Sequence, residues 1–178
     1  MANTTFQGPV ISKNGFYSTG PGNIVNADAD TSLTVASHAG RIVLNDAAGA
    51  VTYTLPAINA NSDSAVAGPG SDLNNLSNIG STFEIFSSIT KTGSLIVKVA
   101  NANDVMIGSA ILIDDTSDNT VGFETVATSD TITLNGTTTG GVTFSRIVCT
   151  AISSTQWKVE VTSACTTTPA TPFSATVS

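Results

Sequence analysis

Arg146-Ile147-Val148-Cys149-Thr150-Ala151-Ile152-Ser153-Ser154-Thr155-Gln156-Trp157-Lys158-Val159-Glu160-Val161 is the stretch that decides the fold. Two alternating runs flank a Ser-Ser-Thr cluster, which is the pattern of a β-hairpin. With Ser153-Ser154-Thr155 as a three-residue loop, Ile152 faces Gln156, Ala151 faces Trp157, Cys149 faces Val159 and Ile147 faces Val161. One face is then wholly apolar, and the other carries Arg146, Val148, Thr150, Lys158 and Glu160. A two-residue loop would pair Trp157 with Thr150 and Val161 with Arg146. A one-residue slip sends every side chain to the opposite face, so the unmixed register is expected.

Working outward, the same period-2 pattern recurs. Leu33 and Val35 alternate with Ser32 and Thr34, and Arg41-Ile42-Val43-Leu44 runs into the turn cluster Asn45-Asp46-Ala47-Ala48-Gly49. Val51, Tyr53 and Leu55 alternate with Thr52 and Thr54 until Pro56. Phe83, Ile85 and Ile89, then Leu95, Val97 and Val99, continue the pattern. Ile111-Leu112-Ile113 reads as a short buried strand or the end of one, Asp114 to Asn119 as a turn, and Val121–Phe123 and Thr131–Leu134 as further strands. Alternation bounded by Asn, Asp, Gly and Pro predicts half-buried antiparallel strands. About nine to eleven strands, without helical periodicity beyond one turn, predict an all-β fold: an antiparallel β-sandwich, jelly-roll-like.

The expected organisation is an extended N-terminal arm over 1–23, a sandwich over 24–163 and a C-terminal tail over 164–178. Gly8-Pro9, Gly15 and Gly20-Pro21-Gly22 break regular structure in the first segment. Phe6, Pro9, Val10, Ile11, Phe16 and Tyr17 are too apolar for a free tail and call for a surface to cover them. Residues 57–80 form a long polar loop around Gly68-Pro69-Gly70, longer than compact domains usually carry without function. Leu73, Leu76 and Ile79 allow one helical turn there, capped by Ser71 or Asp72. The Pro-containing tail around Phe173 is not expected in a central strand.

Composition narrows the function. Among 178 residues, 28 are Thr and 21 are Ser, and only 11% are charged, against roughly a quarter in ordinary soluble domains. The net charge is −7, and the cations Lys13, Arg41, Lys91, Lys98, Arg146 and Lys158 stand singly. Phosphate recognition needs clustered Lys and Arg, so neither nucleic acid nor an anionic membrane is an expected partner. The opening Met1-Ala2-Asn3-Thr4-Thr5-Phe6 has no secretory character, and no apolar run reaches a membrane-spanning length. Synthesis in cytoplasm is therefore expected, although the Thr-rich, Lys-poor surface suits an extracellular particle.

Catalytic and metal motifs are weak. His38, the only histidine, falls in a turn without a nucleophile elbow and is read as a turn or interface residue. Asp114, Asp115, Asp118 and Asn119 supply hard oxygens but lack the spacing of a calcium loop, and acidic turns are common for backbone reasons. Glu84, Glu124 and Glu160 are the only glutamates, each within a strand pattern and without aromatic platforms for a glycan. Trp157 is expected in the core. Cys149 reads as a small buried hydrophobe, and direct pairing with Cys165 across the hairpin is geometrically excluded, which leaves a disulfide only to a tail that folds back. No enzyme, cofactor or metal is expected.

Several segments together resemble small virion proteins of tailed bacteriophages, often marine ones. They are Ala2–Val10 with Asn14-Gly15-Phe16, Ala39-Gly40-Arg41 with Leu44–Gly49, Thr52–Ala57, Lys98–Met106, Ser129–Gly141 and Thr171–Ala175. The resemblance covers most of the chain except 57–80. It implies a capsid decoration (cement) protein, assembled as a trimer on the major capsid protein at the outer surface of the virion. Phe6, Pro9, Val10, Ile11, Phe16, Tyr17 and Phe173 would then form the capsid or subunit interface. The alternative is a head-fibre or tail-associated protein that recognises bacterial surface glycans, for which 57–80 would be the binding loop. A polysaccharide-degrading enzyme is a third class, to be recognised by turnover lost with a carboxylate pair.

Overall fold

The computed structural model describes residues 23–59, 78–117 and 119–177. Among them are twelve strands: β1 (Ile24–Asn26), β2 (Thr31–Ser32), β3 (Ile42–Asn45), β4 (Val51–Thr54), β5 (Thr82–Ser87), β6 (Leu95–Lys98), β7 (Val105–Asp114), β8 (Thr120–Glu124), β9 (Thr131–Leu134), β10 (Ser145–Ala151), β11 (Gln156–Cys165) and β12 (Phe173–Ser174). One helical turn, α1 (Val35–His38), joins β2 to β3. The strands form a seven-stranded sheet in the order β1-β3-β5-β10-β11-β7-β8 and a five-stranded sheet in the order β12-β9-β6-β4-β2. The molecule is thus the all-β sandwich expected from the alternation.

The strand directions depart from expectation. From β1 to β6 the chain alternates between the two sheets, so each sheet receives its next strand after one pass through the other. The strands therefore pair in parallel, β1 with β3 and β3 with β5 in one sheet, β2 with β4 and β4 with β6 in the other. β7 also lies parallel to β11. Antiparallel pairing is confined to β5–β10, β10–β11, β7–β8, β6–β9 and β9–β12. The sheets are mixed, unlike an antiparallel jelly roll.

The β10–β11 hairpin has the expected register: Ala151 pairs with Trp157, Cys149 with Val159 and Ile147 with Val161. The loop is closed by the Ile152 amide donating to the Gln156 carbonyl at 2.9 Å. The apolar face enters a single core with Val43, Tyr53, Leu55, Phe83, Ile85, Leu95, Val97, Met106, Ile132 and Leu134. Each such aliphatic or aromatic side chain contributes about 1.5–3 kcal/mol when taken from water. Trp157 is fully buried, its ring edge-on to Phe83 at 5.8 Å.

Three local readings are corrected. Val35 does not continue a strand from Leu33. Thr34 caps a helical turn by accepting the Ser37 amide at 3.3 Å, and Val35 is left 41% exposed while Leu33 is buried. Thr34 is a natural cap, and its hydroxyl outweighs the β-preference of the valine. Ile111-Leu112-Ile113 lies near the end of ten-residue β7, as one of its two readings had it, but only Leu112 is inside and both isoleucines are exposed. Ile89 lies beyond the end of β5 and is exposed. Close approach explains Gly108 within β7: a Cβ there would sit 1.8 Å from the Val159 carbonyl oxygen on β11.

The base of the 57–80 loop is stitched. Asn78 donates its amide to the Asn59 carbonyl at 3.0 Å and its Nδ2 to the Ala57 carbonyl at 2.8 Å, and the Asn59 amide donates to Asn78 Oδ1 at 2.8 Å. Residues 60–77, with Leu73 and Leu76 of the helical turn read there, lie outside the described residues. The C-terminal tail packs on its own domain. β12 extends the edge of the smaller sheet beside β9, which suits the flanking prolines. Asp130 accepts the Thr176 and Val177 amides at 2.8 and 3.1 Å and holds the tail there. No helix among the described residues is long and apolar enough to cross a membrane.

Candidate functional site

The outer face of the seven-stranded sheet carries both charged and apolar side chains. Strand register places Ile24, Ile42, Glu84, Val148, Glu160, Ser109 and Glu124 in one row across it. A second row runs Asn26, Leu44, Phe86, Arg146, Thr162, Ile111 and Gly122. Charge sits in the middle: Arg146 Nε donates to Glu84 at 2.6 Å, and Lys158 pairs with Glu160 at 2.7 Å. Both pairs are well exposed, where solvent screening leaves such bridges little weight. The Lys158 ammonium holds the Glu160 carboxyl below the usual range, the wrong direction for a general acid at neutral pH.

Apolar side chains flank these charges. Ile107, Ile111 and Ile113 project from β7, and Ile24 projects from edge strand β1. Beside the first residue of β10 stands Phe144, 73% exposed. Its φ is +72°, and it is the only non-glycine with positive φ among the described residues. A bulky residue in the left-handed region is a genuine outlier. Its amide is fixed to the Ser87 carbonyl at 2.9 Å, and its ring leans on Phe86 at 6.3 Å. The backbone is thus held strained while the ring is offered to solvent. Near β1, a shallow cleft of about 270 Å³ is lined by Asn23, Gly40, Arg41, Ile42, Thr82 and Glu84.

The residues expected at an interface fare differently. Phe6, Pro9, Val10, Ile11, Phe16 and Tyr17 lie outside the described residues. Phe173, expected at an interface, instead packs into its own core at 9% exposure, because Asp130 and β9 hold the tail inward. His38 is buried at the end of α1, with Nδ1 accepting the Thr34 amide at 3.0 Å. Asp114 accepts the Thr116 amide and hydroxyl at 2.9 and 2.6 Å and the Ser117 hydroxyl at 2.5 Å. These bonds pull its carboxyl below the ordinary range and mark a side chain occupied by its own turn. Asp118 lies outside the described residues. No group of three or more His, Cys, Asp and Glu side chains among the described residues is arranged to hold a metal.

Cys149 and Cys165 are free, buried thiols. Burial pushes the Cys149 thiol up to about 12, and Cys165 Sγ donates to the Thr138 carbonyl at 3.2 Å. Neither is a nucleophile at neutral pH.

A polar cluster that the sequence does not announce lies inside the sandwich. Lys91 is 3% exposed and Asn45 fully buried. Lys91 Nζ donates to Asn45 Oδ1 at 2.9 Å and also to the Ala47 carbonyl. Asn45 Nδ2 donates to the Tyr53 hydroxyl at 2.9 Å and to the Ala27 carbonyl at 3.1 Å. Burial pushes the Tyr53 phenol up to about 12 and draws the Lys91 amine down. Compared with family models, curated proteins and solved structures, the chain matches none.

Proposed function

We propose that this chain is a capsid decoration (cement) protein, binding the outer surface of a phage head as a trimer and bridging junctions of the major capsid protein. The observation that carries the reading is Phe144, an aromatic held at φ +72° and 73% exposed. Backbone strain retained at an exposed ring is a mark of a contact residue, and aromatic anchors dominate binding energy at interfaces. Ile107, Ile111 and Ile113 widen the apolar surface on the same sheet. The apolar N-terminal residues Phe6, Val10, Ile11, Phe16 and Tyr17 precede edge strand β1 and add a second contact by laying across neighbouring subunits. Repeating both contacts in a trimer multiplies them through effective concentration.

The test is re-addition of purified protein to heads that lack it. Phe144→Asp should weaken occupancy by about 30-fold, the equivalent of a 2 kcal/mol hot spot. Deleting residues 1–17 should lower both occupancy and shell stability. Wild-type occupancy by both variants would overturn the reading.

A further inference from the structure

The buried Lys91–Asn45 contact is an arrangement for covalent chemistry. Its argument is independent of the decoration reading. Lys91 lies in the connection between β5 and β6, and Asn45 is the last residue of β3. Nζ donates to Oδ1 at 2.9 Å, the oxygen carried by the Asn45 Cγ. The leaving group, Nδ2, is 2.9 Å from the Tyr53 hydroxyl. Asp28 attracts the amine at longer range, but its carboxylate accepts the Asp46 amide at 2.6 Å. Lys91 Nζ thus rests on a side-chain carboxamide and a backbone carbonyl. A charged amine is costly in such a place, and desolvation favours the neutral, nucleophilic form. Asn45 is fully buried, which keeps competing water from the carbonyl. Fixed proximity supplies the effective concentration that an amine and an unactivated amide lack in solution.

We propose that Lys91 and Asn45 join through an isopeptide bond, Nζ attacking Cγ and expelling Nδ2 as ammonia. One C–N bond forms and one breaks, and nothing is oxidised or reduced. The neutral amine loses one proton and the departing nitrogen gains one. Tyr53 positions the leaving nitrogen: its phenol oxygen accepts from Asn45 Nδ2 while its own hydroxyl donates to the Ala27 carbonyl. The product ties the end of β3 to the β5–β6 connection, a covalent staple in a domain whose two cysteines are free.

Intact mass of the full chain tests this directly. The linked protein is lighter than its sequence by one ammonia, about 17 Da. Trypsin cuts after Arg41, Lys91 and Lys98 in this region. Acylated Lys91 resists cleavage, so the digest should contain 42–98 as a single light peptide. The full sequence mass, with separate peptides 42–91 and 92–98, would overturn the proposal. Lys91→Gln should restore the full mass. A light species that persists in Lys91→Gln is an asparagine succinimide and also overturns it. Tyr53→Phe should form the light species more slowly, and an unchanged rate would remove Tyr53 from the chemistry. The wild-type mass decides the main point even if a variant fails to fold.

Discussion

Replacing Phe144 by Ala and by Gly separates the two things claimed for this residue, a strained backbone and an exposed ring. Both changes remove the ring and its contact with Phe86, which stands 6.3 Å away. At the exposed end of the range, that contact is worth about 0.5 kcal/mol. Only glycine also relieves φ +72°. The left-handed conformation costs an L-residue roughly 1–2 kcal/mol. Glycine returns about 0.5–1 kcal/mol of this through the greater freedom of its unfolded chain. Phe144→Ala should therefore unfold about 0.5 kcal/mol more easily than wild type. Phe144→Gly should be about 0.5–1 kcal/mol more stable than Phe144→Ala and close to wild type. Urea titration reads the difference as a shift of midpoint at constant slope. If Ala equals or exceeds Gly, the backbone at 144 is unstrained and the argument from strain to contact fails. Both variants should bind heads equally poorly, because binding uses the ring and stability registers the backbone.

Other perturbations test the fold. Trp157→Ala should cost about 3–5 kcal/mol. Trp157→Phe should cost far less, because the indole Nε1 has no hydrogen-bond partner to lose; both are read by chemical denaturation. Gly136→Ala should destabilise by more than about 2 kcal/mol, since φ is +78° and a Cβ would lie 1.9 Å from the Lys91 carbonyl oxygen; thermal unfolding checks this. Alkali should unfold the protein in a defined window. Burial raises the Cys149 thiol from 9.0 to about 12, so its contribution is complete below the unfolded value and is lost as pH rises toward 12. That loss is about 4 kcal/mol once both values are passed. Tyr53, raised from 10.0 to about 12, acts in the same direction, and Cys149→Ala should flatten the stability–pH profile between pH 9 and 12.

The β10–β11 hairpin was readable because its two possible registers have opposite chemical consequences. Only one sets Trp157, Val159 and Val161 opposite the apolar Ala151, Cys149 and Ile147. The parallel pairing of β1, β3 and β5 was not readable. Alternation such as Val51-Thr52-Tyr53-Thr54 records one strand's own two faces and is silent on which way its neighbour runs. Ile111 and Ile113 misled for a related reason. They are apolar on the outer face of β7, so a run that looks buried is half exposed. Lys91 carries no local sign of burial, because its neighbours Thr90 and Thr92 are those of a surface loop. Its partner Asn45 is 46 positions away by number, and only the sandwich brings them together. Phe144 is not singled out in the sequence, since a positive φ at a non-glycine has no compositional mark.

Imaging a purified particle to locate this chain and count its copies tests the central claim most directly. The account predicts hundreds of copies, arranged as trimers over true or local three-fold positions of the shell, with the Phe144 face of the seven-stranded sheet against the capsid. A handful of copies on the tail or on a fibre would contradict it.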